Sequence, residues 1–83
     1  MQMKRNGLYR TSDLYLAVWL LTNRFELEDI DRSNSRRCNF IFVDRQDRPE
    51  LVHQFLCGRA VGNLADFVFN LRRAKRLLYS TEV

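Results

Sequence analysis

The sequence predicts an α+β domain in which a small antiparallel sheet has helices packed on one face. Three observations lead there. Leu14 to Leu21 is an unbroken apolar run with helix-favouring flanks. Arg36 to Asp44 alternates with a period of two. Leu64 to Tyr79 carries apolar residues at helical spacing. The order is helix, β-hairpin, helix and helix, with a short third strand open to question before the last helix. At 83 residues the chain is long enough for one domain, spanning 1–83. It is 46% hydrophobic and 29% charged, a globular balance that a disordered tail does not have.

Residues 1–7 are polar and basic and read as a loose arm. Leu8 and Tyr9 read as a short lead-in packed against the first helix. That helix is expected from Ser12 to Arg24. Thr11, Ser12 and Asp13 all suit its N-cap, and Arg24 suits its negative end. At ~1.5 Å per residue it is about 20 Å long, too short to cross a bilayer. Leu14, Ala17, Val18 and Leu21 share one face, while Leu16, Trp19 and Leu20 point largely the other way. A helix that is apolar all round must be covered all round. Leu16, Trp19 and Leu20 are therefore expected in a homodimer interface, or otherwise under the last helix of the same chain.

Phe25 to Arg32 reads as a strand whose alternation breaks at Ile30, an irregularity that a bulge would repair. Ser33-Asn34-Ser35 is a turn. It joins that strand to the next as a hairpin, in which Cys38, Phe40 and Phe42 share a face. Asp47, Pro49 and Glu50 mark the start of a second helix, from about Pro49 to Cys57, that Gly58 ends. Arg59 to Gly62 is either a loop or a two- to three-residue strand on the hairpin's edge. Asn63 caps the last helix. Its buried stripe is read as Leu64, Phe67, Val68, Leu71, Ala74 and Leu78.

Tyr9-Arg10-Thr11-Ser12-Asp13-Leu14-Tyr15-Leu16-Ala17, Arg37-Cys38-Asn39-Phe40-Ile41-Phe42 and Leu77-Leu78-Tyr79-Ser80 resemble a family of small uncharacterised prokaryotic proteins. The resemblance spans most of the chain. It implies no activity and no site residues, because the family is one of unknown function.

The residues themselves say little for catalysis, and the chain is not expected to be an enzyme or to hold a cofactor or metal. His53 is the one histidine and shares a helical face with Cys57. A Cys–His nucleophile also needs an orienting third group, and none is visible. One histidine and two cysteines fall short of a structural zinc site. Glu26, Glu28, Asp29 and Asp31 read as charges guarding a sheet edge. Cys38 and Cys57 read as free thiols of a cytoplasmic protein.

The net charge is +4 and the sequence pI about 9.6. On the last helix Arg72, Arg73 and Arg76 fall together around Phe69, with Lys75 at the flank. Cations around an exposed ring suit nucleic acid. The plainer reading is a solvated face whose cations complement the helix's C-terminal end. Arg36 and Arg37, and the arm residues Lys4, Arg5 and Arg10, would extend the same surface if the three clusters converge, which the sequence does not decide. The expected function is a small basic nucleic-acid-binding or accessory protein acting as a homodimer. The alternative is a protein-interaction or structural module with no nucleic-acid role.

Overall fold

The computed structural model describes residues 7–34 and 36–79. Six elements follow one another: β1 (Leu8–Thr11), α1 (Leu14–Thr22), β2 (Leu27–Asp31), β3 (Asn39–Val43), α2 (Arg48–Leu56) and α3 (Leu64–Tyr79). The strands form one antiparallel sheet in the order β1-β3-β2. The basic-arm assignment falls on residues 1–6, outside the described residues, and on Gly7, whose carbonyl accepts from Asp44 N–H at 3.0 Å.

The sheet is built on β3. Tyr9 and Leu27 both stand in register with Phe42, and Thr11 and Ile30 with Phe40. The register shifts between Leu27 and Asp29. That bulge lets Leu27 and Ile30, an odd number of residues apart, both pack on the core. Arg10 and Asp31 lie on the opposite face. Their 2.6 Å ion pair ties the two outer strands together across β3.

The third strand comes from Leu8–Thr11 and not from Arg59–Gly62, which is a loop. With β1 on one edge of β3 and β2 on the other, β3 has no free edge. The loop serves another purpose. A Cβ placed on Gly62 would come to 3.1 Å from the Trp19 ring, so any other residue there would push the ring back by a few tenths of an ångström.

Asp13 caps α1, its carboxylate accepting from Tyr15 N–H (3.0 Å) and Leu16 N–H (3.1 Å). The helix ends in a Schellman motif: Phe25 N–H donates to the Leu20 carbonyl, and Arg24 N–H to that of Leu21. Arg24 takes the left-handed position at φ 67°, which glycine usually fills. α2 closes in the same way, and there the left-handed residue is Gly58 (φ 74°). Asp47 stands at the N-cap of α2, where the sequence places the helix start. Asp47 makes no side-chain capping bond, because Arg45 holds its carboxylate at 2.7 and 3.0 Å.

Every residue of α1 from Leu16 to Leu21 is buried. They share one core with Phe25, Phe40, Phe42 and Ala74. Leu16, Trp19 and Leu20, expected in a homodimer interface or otherwise under the last helix, are covered within one chain and not left for a second copy. α1 is flanked by α3 and α2, and the Trp19 indole N–H donates to the Leu51 carbonyl of α2 at 3.0 Å. The α3 stripe also needs correcting. Phe67, Leu71, Ala74 and Leu78 pack on the core, but Leu64 is 75% exposed and Val68 40%. At ~100° per residue Val68 lies about a quarter-turn from the line through Phe67, Leu71, Ala74 and Leu78.

Two outcomes follow. Trp19→Phe keeps an aromatic ring but loses the indole hydrogen bond to the Leu51 carbonyl, so it should cost about 0.5–1.5 kcal/mol in urea denaturation. Asp31 is held down to about pKa 2, from 3.8, by hydrogen bonds from the Ser33 backbone and side chain and then from Arg10. A depressed carboxyl contributes stability above its unfolded pKa and loses it as pH falls through the folded value. Melting temperature should therefore drop between about pH 4 and pH 2, and Asp31→Asn should flatten that drop.

Candidate nucleic-acid interface

The structure sorts the cations into those held by the fold and those left free. Arg48 is paired with Asp44 at 3.0 Å and lies 4.3 Å from the centre of the Tyr9 ring. Arg45 chelates Asp47, lies 4.0 Å from the Phe25 ring centre and donates to the Asn23 carbonyl that ends α1. Hydrogen bonds from these guanidiniums hold Asp44 and Asp47 below the usual carboxylate range. Arg10 is taken by Asp31. Arg32 donates to the Leu77 carbonyl near the end of α3. All four brace the fold.

Arg36, Arg37, Arg72, Arg73, Lys75 and Arg76 are exposed, and none joins an ion pair among the described residues. Their placement follows from α3. Asn63 caps it, accepting from Asp66 N–H at 2.9 Å. Ala74, fully buried, then sets the inward side. The outward side carries Ala65, Phe69, Arg72 and Arg76, since residues three and four apart share a face.

Arg72, Lys75, Arg76 and Tyr79 line one shallow surface at the end of α3. Tyr79 also borders a second depression with Arg36, Arg37 and Cys38 of the β2–β3 connection. The hairpin tip and the last helix thus meet at Tyr79, whose ring is 74% exposed. Two of the three basic clusters seen in the sequence converge. Of the third, Lys4 and Arg5 lie outside the described residues, and Arg10 is engaged by Asp31 on the far face of the sheet.

The residues expected to act together, Phe69, Arg72, Arg73 and Arg76, divide in two. Arg72 and Arg76 join Tyr79. Arg73 turns to another cleft, shared with Asp66, Phe69, Asn70, Arg24 and Glu26. Phe69 is 63% exposed and also borders Leu64, Ala65, Val68 and Arg72. The outward side of α3 is therefore apolar over its first two turns and basic over its last two. Sequence reasoning passed over Tyr79, although it stands three residues after Arg76 and seven after Arg72, a same-face spacing.

Elsewhere, His53 and Cys57 stand together on exposed α2, with Sγ 3.6 Å from Nε2. Cys38 and Cys57 are both free thiols. Among the described residues no group of three or more His, Cys, Asp or Glu is placed to hold a metal ion. None of the described helices is long and apolar enough to cross a membrane.

A family model described as "Domain of unknown function (DUF5659)" matches residues 6–80, and the chain belongs to that family. No curated protein and no solved structure matches the chain.

The division of the cations predicts a division in stability. Replacing Arg72 and Arg76 by Gln should shift the unfolding free energy by no more than ~0.5 kcal/mol, as surface changes usually do. Arg45→Ala removes hydrogen bonds to Asp47 and to the end of α1, and should cost about 1–3 kcal/mol. Chemical denaturation of the two variants beside the wild type makes the comparison.

Proposed function

We propose that this member of a family of unknown function is a single-stranded nucleic-acid-binding protein that acts by association and not by catalysis. The observation that carries the reading is the surface around Tyr79. Arg36, Arg37, Arg72, Lys75 and Arg76 gather about an exposed ring, and among the described residues none of them is paired with a carboxylate. Free guanidiniums grip phosphate oxygens, and an exposed aromatic face accepts an unpaired base. The +4 net charge adds a long-range attraction for a polyanion. Two free thiols suit the reducing cytoplasm.

The alternative, a protein-interaction module with no nucleic-acid role, draws on the apolar first half of α3. It predicts a protein that leaves heparin or DNA resin at low salt.

Fluorescence anisotropy with labelled single-stranded DNA and RNA, read across a salt series, tests the proposal. Wild-type affinity should fall steeply with salt. Each of Arg36→Gln, Arg72→Gln and Arg76→Gln should weaken binding and flatten the log–log slope by about 0.7. Tyr79→Ser should weaken binding by about 1–3 kcal/mol while leaving the slope unchanged. Absence of binding at low salt, or binding indifferent to all four substitutions, would overturn the reading.

A further inference from the structure

Exposed apolar side chains gather at one place on the surface. Val61, Leu64, Val68 and Phe69 line the approach to α3 and its first two turns, and all four are exposed. Leu64, Ala65, Val68, Phe69 and Arg72 enclose a common depression on that side. Such a patch beside a solvated basic half calls for a cover. α1 cannot help to supply one, because its own apolar residues are already buried inside the chain.

The charges along α3 say what fits. Asp66 and Arg73 stand seven residues apart on the same flank of the patch and line the same cleft. Neither has an ion-pair partner among the described residues. Let a second α3 lie antiparallel across the first, with the two-fold axis beside Phe69 and Asn70. Asp66 of one copy then falls level with Arg73 of the other, on the same flank, and the symmetry makes that pair twice. On the other flank Leu64 falls level with the aliphatic stem of Lys75. The two Phe69 rings meet at the axis, with Val68 beside them. A parallel pair would instead set the Asp66–Arg73 flank of one copy against the Leu64–Lys75 flank of the other, and the reciprocal pairs would not form.

We infer that the first half of α3 is a self-association surface, on which a second copy of this chain docks antiparallel through Val68 and Phe69 with reciprocal Asp66–Arg73 ion pairs. The overlap runs from Leu64 to Lys75, so Arg72 and Lys75 lie within it, while Arg76 and Tyr79 reach past the first helical residue of the partner copy and stay open, with Arg36 and Arg37, at each end of the dimer. The inference stands on the apolar patch and the charge pattern, and needs no nucleic acid.

Sedimentation equilibrium of the chain alone, from micromolar to millimolar concentration, tests it, with circular dichroism confirming that each variant is folded. Wild type should show a concentration-dependent monomer–dimer equilibrium. Val68→Glu with Phe69→Glu should give a folded monomer. Asp66→Arg alone and Arg73→Asp alone should each weaken association about tenfold, because both reciprocal pairs become repulsive. An equimolar mixture of those two variants should recover wild-type association as a heterodimer, in which both pairs are again complementary. A wild type monomeric throughout the range would overturn the inference. So would a dimer that survives the double glutamate change, or a mixture that associates no better than its components.

Discussion

Burial of α1 on all sides is the constraint on which the rest of the structure depends. An apolar helix of nine residues cannot stand in water. The elements around it are arranged to exclude water from each side. β3 contributes Phe40 and Phe42. α3 contributes Ala74, a residue small enough for the helices to approach closely. α2 and the Gly62 loop close over Trp19. The turn out of α1 carries Phe25 back into the same core, where its ring meets Phe42 edge-on at 6.2 Å. A chain of this length has little apolar material to spare, and most of it is committed here. What α3 has left over on its outward side is therefore informative.

That outward side carries exposed apolar residues and cations without an ion pair among the described residues. The fold holds Arg10, Arg32, Arg45 and Arg48 against carboxylates, carbonyls and rings, and among the described residues no acid pairs with the cations around Tyr79. Net charge alone could not distinguish the two groups. A +4 total leaves four cations without an acid to match them, but it does not say whether these are scattered or concentrated in a patch. Geometry decides, since a guanidinium already bidentate to a carboxylate has few donors left for a phosphate.

Much of the fold was legible in the sequence where periodicity and capping agreed. Asp13, Asn63 and Gly58 punctuate the helices as their chemistry suggests, and the bulge in β2 reconciles Leu27 with Ile30. The third strand was not legible. Leu8–Thr11 is only four residues long and becomes a strand through pairing with β3, a long-range contact that no local pattern reports. The exposure of Leu64 and Val68 was hidden for a related reason. Apolar spacing marks a broad helical face, and only the position of the neighbouring helix decides which edge of that face is covered. At the site, the clustering of Arg72 and Arg76 could be seen in one helix. Their meeting with Arg36 and Arg37 at Tyr79 depends on where the hairpin lands against the end of α3.

The central claim is that the unpaired cations around Tyr79, and not the paired ones, form the working surface. A nitrogen-15 chemical-shift titration of the folded protein with a short single-stranded oligonucleotide at low salt tests it most directly. The account predicts perturbations concentrated at Arg36, Arg37, Arg72, Arg76 and Tyr79, with the resonances of Arg10, Arg45 and Arg48 unmoved. Perturbations centred on Arg10, Arg45 or Arg48, or none anywhere, would contradict it.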